Sequence, residues 1–131
     1  MSDEPVRETV EGEGYAVGHL DGLGEGYGFR KIRVPLGVTA FGANAIVLPA
    51  GFEPEQGHYH HEQEELYFVH RGRVRMDFGD GSSHVLDEGG LARVAPETVR
   101  RVVALDEDAV FVIVGGKDGY VGRDAEQGSV P

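Results

Sequence analysis

The sequence contains no cysteine. That excludes disulfides, thiolate metal sites, iron–sulfur clusters and cysteine nucleophiles together. Basic residues are also scarce: 12 Lys and Arg stand against 23 Asp and Glu, giving a formal net charge of −11. So acidic a chain lacks the basic footprint that nucleic acids and anionic membranes require, and neither is an expected partner. No apolar run approaches ~18 residues, so no membrane span is expected. Residues 1–14 are acidic and carry no apolar segment of the secretory type, which makes a cytoplasmic protein the expectation. No window of a dozen residues shows a 3.6-residue apolar stripe, so no long helix is predicted. Gly-x-Ser-x-Gly, Walker and zincin patterns are absent. Gly22, Gly24, Gly26 and Gly28 have neither the spacing nor the flanking elements of a dinucleotide fingerprint.

What remains is a chain of 131 residues and 14.1 kDa, one domain in length. Its 21 glycines are spread along the sequence, as turns between short strands would be. Runs of β-favouring residues at 29–34, 38–41, 44–48, 65–70, 73–78, 84–86, 91–95, 101–104 and 110–114 are broken by Gly, Pro and Asp. Several alternate with period two: Val74, Met76 and Phe78 share one face, and Arg73, Arg75 and Asp77 the other. Gly79-Asp80-Gly81-Ser82 reads as a hairpin turn. Strands at this spacing without helices predict an all-β sandwich or barrel. The reading divides the chain into a flexible or peripheral segment at 1–28, a barrel domain at 29–117 and a polar tail at 118–131.

One cluster carries chemistry. His58, His60 and His61 fall within four positions, followed by the acidic turn Glu62-Gln63-Glu64 and then Glu65. If residues 58–60 are extended, the imidazoles of His58 and His60 point to one face. A hairpin at the acidic turn would bring Glu65 opposite them. Two neutral imidazoles and one carboxylate suit a borderline divalent cation and leave positions open for water or substrate. The competing reading is a surface His–Glu cluster without a ligand role.

Gly51, His58-x-His60, Glu65 and Gly72 together resemble the first motif of the cupin superfamily, with six residues instead of five in the first gap. Gly90, five residues and Pro96 resemble the start of the second motif, after which Thr98 stands at its Gly, Arg101 at its His and Leu105 at its Asn. The resemblance implies a single-domain antiparallel jelly-roll β-barrel with a ligand site inside. It also implies a metal set of His58, His60 and Glu65 whose fourth position has become Arg101, which cannot ligate. Two outcomes follow. Arg101 could pair with Glu65 and replace the metal, leaving a non-catalytic ligand-binding or dimerisation barrel. Alternatively, Arg101 turns to the barrel mouth and binds an anionic group of a substrate, while His58, His60 and Glu65 hold Fe, Mn, Ni or Zn. The second outcome allows a dioxygenase, isomerase or decarboxylase acting on a small polar or anionic metabolite.

Tyr67 follows Glu65 by two and is expected to line the interior beside the ligand. Gln63 and His84 are further candidates for a ligand position, and His61 and His70 are expected on the surface. Arg71, Arg73 and Arg75 read as a solvated face or a contact between copies. A homodimer is expected, because a flexible N-terminal segment and exposed edge strands invite pairing between chains.

Overall fold

A computed structural model describes residues 3–131. Twelve strands form among them, most of them where β-favouring runs lie between turn residues. They are β1 (Val10–Gly12), β2 (Tyr15–Val17), β3 (Gly28–Lys31), β4 (Gly42–Leu48), β5 (Gly57–His60) and β6 (Glu64–Arg71). After these come β7 (Val74–Phe78), β8 (Ser83–Leu86), β9 (Leu91–Val94), β10 (Arg100–Ala104), β11 (Ala109–Gly116) and β12 (Ala125–Gly128). The helical content is one turn, α1 (Arg33–Leu36), and a 3-10 turn at Leu20–Gly22. No helix among the described residues is long and apolar enough to cross a membrane.

Ten strands form two five-stranded sheets, in the orders β12-β5-β10-β7-β8 and β3-β4-β11-β6-β9, and β1 pairs with β2. Every recorded strand pair is antiparallel. The two large sheets face each other over one core, to which β6, β9 and β11 supply Tyr67, Val69, Val94 and Phe111. Val74, Met76 and Ala104 come from β7 and β10. This is the expected all-β jelly-roll barrel. The alternation of β7 holds, with Val74 and Met76 turned into the core and the Gly79–Ser82 turn leading to β8. Gly72 makes the β6–β7 turn with φ +78°, and a Cβ there would lie 2.4 Å from the backbone oxygen of Asp108.

The elements differ from the expected runs in several places. The run at 29–34 is a strand only to Lys31, and Arg33 and Val34 belong to α1. Residues 38–41 form no strand, because the preceding turn α1 ends at Gly37 in the left-handed conformation (φ 72°). Residues 3–28, read as a flexible or peripheral segment, hold a hairpin and the 3-10 turn. Arg30, on the outer face of β3, fastens this segment by donating to the carbonyls of Leu20 at 3.1 Å and Gly26 at 3.2 Å. The polar tail also carries β12, which pairs with β5 through Ala125–His60 and Gln127–His58.

Candidate metal centre

His58 and His60 alternate along β5, and both rings turn into the barrel, their centroids 5.2 Å apart. Glu65 stands near the start of β6. These two strands are not a hairpin, since β5 pairs with β10 and β12 while β6 pairs with β9 and β11. Residues 61–63 cross from one sheet to the other, so the imidazoles meet the carboxylate across the interior. Donor atoms of His58, His60 and Glu65 all lie within 4.8 Å of one another. A glycine makes room for them. A Cβ on Gly115, the partner of Glu65 on β11, would lie 2.8 Å from Gln63 Oε1 and 3.1 Å from Glu65 Cγ.

The far side of His60 is fixed by Asp124, whose Oδ1 lies 2.7 Å from His60 Nδ1. A carboxylate only accepts, so Nδ1 carries the proton and Nε2 is turned towards Glu65 Oε1, 3.3 Å away. Asp124 also accepts from the amides of Glu62 (2.9 Å) and Gln63 (3.0 Å), which pins the crossover to the residue just before β12. Gln63 is buried beside it, its Nε2 donating to Asp124 Oδ1 at 3.1 Å, and it lines the same cavity as the three donors. This carboxylate–histidine arrangement orients metal-binding imidazoles and raises their basicity. Sequence reasoning missed Asp124, because β12 (Ala-Glu-Gln-Gly) has no β-favouring residue to announce a strand.

Charge is balanced tightly here. Burial lowers the His58 pKa to about 4, and the neighbouring Arg100 adds to the effect, so this imidazole is neutral near pH 7. Burial pushes Glu65 upwards, but the bonds from His60 and Arg100 outweigh it and hold the carboxyl at about 2. Burial likewise lowers His60, and its bonds to Glu65 and Asp124 more than reverse this.

The arginine that faces Glu65 is Arg100, not Arg101. Arg100 is fully buried, opposite His58 in the β5–β10 register. Its Nη2 donates to Glu65 Oε1 at 2.5 Å, Nε to Tyr67 Oη at 3.1 Å and Nη1 to the Thr98 carbonyl at 2.8 Å. Arg101 lies on the outer face, where Asp77 accepts from its Nη2 at 2.6 Å and the Pro54 carbonyl from its Nη1 at 3.1 Å. It still borders the cavity at the barrel mouth. The cause of the shift is visible in the backbone. The left-handed residue before β10 is Glu97 (φ 66°), one position ahead of Thr98, where the motif spacing puts its glycine. A one-residue change of register turns every side chain of a strand to the other face.

Tyr67 is buried as expected, and its hydroxyl donates to Glu65 Oε1 at 3.0 Å. His84 is exposed beside Phe78 and does not join the site. His61 and His70 are on the surface, as expected.

Two cavities meet at His58. The larger, about 770 Å³, runs past Phe29, Leu48, Phe52, Phe111, Tyr67 and Arg100. The smaller, about 380 Å³, holds His58, His60, Glu65, Asn44, Tyr120 and Arg123. Both walls are mostly apolar, and the second gathers the ionisable groups His58, His60, Glu65 and Arg123, a combination typical of small-molecule sites.

The donor set fits a divalent ion. Two imidazoles and a carboxylate converge inside a cavity, one imidazole is oriented from behind, and space remains beside them.

Known proteins extend this picture. A cupin protein from Bacteroides fragilis superposes with a TM-score of 0.65 at 25% identity, covering 76% of this chain and 84% of that one. A sugar phosphate isomerase of the cupin superfamily from Silicibacter pomeroyi gives a TM-score of 0.60 at 27% identity, covering 68% of this chain and 58% of the other. A DMSP lyase from Ruegeria pomeroyi shares the fold, with a TM-score of 0.58 at 17% identity over 66% of this chain and 42% of that one. No curated protein matches the sequence. The family model of the cupin domain matches residues 45–115, from within β4 to within β11. That stretch is more than half of the sequence and holds strands of both facing sheets, so the chain belongs to the cupin superfamily.

Proposed function

We propose that this protein is a metal-dependent cupin whose barrel binds and transforms a small polar or anionic metabolite, with a divalent ion held by His58, His60 and Glu65. The observation that carries the reading is the convergence of these three donors from two sheets, with Asp124 aiming His60 Nε2 inward. When bound, such an ion supplies Lewis acidity to a substrate oxygen. The protein's own groups supply the rest. Tyr67 Oη and Arg100 hold Glu65 in one rotamer. Phe29, Phe52 and Phe111 line the larger cavity and keep water from the apolar part of the ligand. An isomerisation, a decarboxylation or a dioxygenation is compatible with this set.

The contact between Arg100 and Glu65 supports a second reading, a metal-free ligand-binding barrel in which a buried ion pair occupies the site. Competitive titration against a chelating dye separates the two. A specific site loses affinity in His58→Ala and Glu65→Gln but keeps it in Glu62→Gln, whose carboxylate is outside the barrel. Equal losses in Glu62→Gln and Glu65→Gln contradict the metal reading.

A further inference from the structure

The smaller cavity opens onto a cationic depression that the metal ligands do not explain. The depression has a volume of about 340 Å³ and is lined by Lys31, Arg33 and Arg123, with Asn44 and Tyr120 between them. It shares Asn44, Tyr120 and Arg123 with the cavity that holds His58, His60 and Glu65, so the two are continuous. In a chain of net charge −11, with 12 Lys and Arg in all, three cations converge there, and no Asp or Glu lines the depression.

The sequence and the register make this placement definite. Lys31 and Asn44 are direct partners across β3 and β4, and Asn44 pairs in turn with Ile113 of β11, itself opposite Tyr67. Lys31 therefore stands on the row of inward positions that ends at Tyr67, two residues along β3 from Phe29 at the barrel mouth. Arg33 lies over Tyr120, its guanidinium carbon 3.8 Å from the ring centroid. Stacking holds the plane of the guanidinium and leaves its edge N–H groups free to donate. Arg123 (φ 51°) immediately precedes Asp124, so one short segment presents a cation to the depression and a carboxylate to His60. None of the three cations has an ion-pair partner among the described residues, and the Asn44 side chain has no hydrogen-bond partner there.

Cations that converge without carboxylates, on a protein that is otherwise strongly acidic, form a local positive potential that draws anions from solution. Planar guanidinium edges and an ammonium match the oxygens of a phosphate or carboxylate. We propose that Lys31, Arg33 and Arg123 form the anion subsite of the barrel. They would hold the oxyanion of a small substrate, while the rest of that molecule passes Asn44 to His58, His60 and Glu65. Three cations favour a dianion, so a phosphomonoester is the substrate class that fits best, with a carboxylate as the other source of the same chemistry. The inference rests on the reading of the barrel interior as a small-molecule site.

The test uses inorganic phosphate and acetate as probes, titrated calorimetrically into metal-stripped, desalted protein. Variants are Lys31→Gln and Arg123→Gln, singly and together. Both residues are exposed and make no side-chain hydrogen bond or ion pair among the described residues, so the variants keep the fold, which circular dichroism checks. Wild type should bind phosphate, more weakly as salt is raised, and the double variant at least tenfold more weakly. Phosphate bound in preference to acetate assigns a phosphomonoester, and acetate bound as well as phosphate assigns a carboxylate. No phosphate or acetate binding to wild type, or equal binding to the double variant, overturns the proposal. A parallel Mn²⁺ titration keeps the two readings apart. The double variant should not lose Mn²⁺ affinity, and His58→Ala should lose Mn²⁺ but keep phosphate. If no protein binds Mn²⁺ while phosphate binding responds to the variants, the metal reading falls and the anion subsite stands.

Discussion

Replacing Arg100 by histidine is expected to tighten divalent-ion binding at least tenfold, about 1.4 kcal/mol. In the wild type an incoming ion must share Glu65 Oε1 with a guanidinium whose Nη2 lies 2.5 Å away. The substitution removes that like charge and offers an imidazole at the inward position opposite His58, so both changes act in one direction. Without metal the same change destabilises the barrel, because Glu65, Tyr67 Oη and the Thr98 carbonyl each lose a donor. Breaking a buried ion pair costs about 3–5 kcal/mol. Free metal at a thousand times the dissociation constant returns about 4 kcal/mol by mass action, so the loss should vanish at saturation. Two variants control the interpretation. Arg100→Met removes the charge without adding a ligand and should gain less, while Arg101→His places an imidazole on the outer face beside Asp77 and should gain nothing. The assay is dye-competition titration with Mn, Fe, Co, Ni and Zn, alongside urea denaturation with and without metal. Unchanged affinity of Arg100→His for all five ions, or a gain in Arg101→His instead, refutes the assignment of Arg100 to the interior.

Other expectations are simpler to check. Asp124→Ala should weaken metal binding about 10- to 100-fold although Asp124 is not a ligand, because His60 loses the partner that orients it; the same titration measures this. Hydrogen bonds from Arg75, with Ser83 and Arg101, hold the Asp77 carboxyl far below its ordinary pKa. A depressed pKa stabilises the folded state above the ordinary value near 4, and the contribution is lost as pH falls further. Asp77→Asn should therefore cost about 1.5–3 kcal/mol at pH 7, and its urea midpoint should approach that of wild type as pH falls below 4. Gly72→Ala should destabilise by about 2 kcal/mol or more, read in the same denaturation, since its Cβ would collide with the Asp108 carbonyl in a left-handed backbone.

The legible parts of the sequence were those in which local pattern and global fold agree. Turn residues between β-favouring runs announced β4, β6, β7, β9 and β11, and the period-two alternation of β7 gave its core face without ambiguity. His58, His60 and Glu65 were readable because their chemistry is rare and their spacing short. Their meeting by a crossover between sheets was not readable, because the same spacing serves a hairpin equally well. The failure at β10 has a specific cause. In Arg100-Arg101-Val102-Val103-Ala104 both alternate sets read as one arginine followed by small apolar residues, so period two cannot choose the inward face. The choice was made by Glu97, a non-glycine residue in the left-handed region, which no motif predicts. Asp124 was invisible for another reason: it acts over a sequence separation of about sixty residues, from just before a strand whose composition does not favour β structure.

The central claim is that His58, His60 and Glu65 hold a metal ion. Elemental analysis of protein purified without a histidine tag, as isolated and after reconstitution and desalting, tests it most directly. The account predicts close to one divalent ion per chain in wild type and none in a His58→Ala, Glu65→Gln double variant that keeps its β-sheet circular-dichroism spectrum. Wild-type protein that retains no metal after reconstitution with Mn, Fe, Co, Ni or Zn contradicts it and leaves the Arg100–Glu65 ion pair as the occupant of the site.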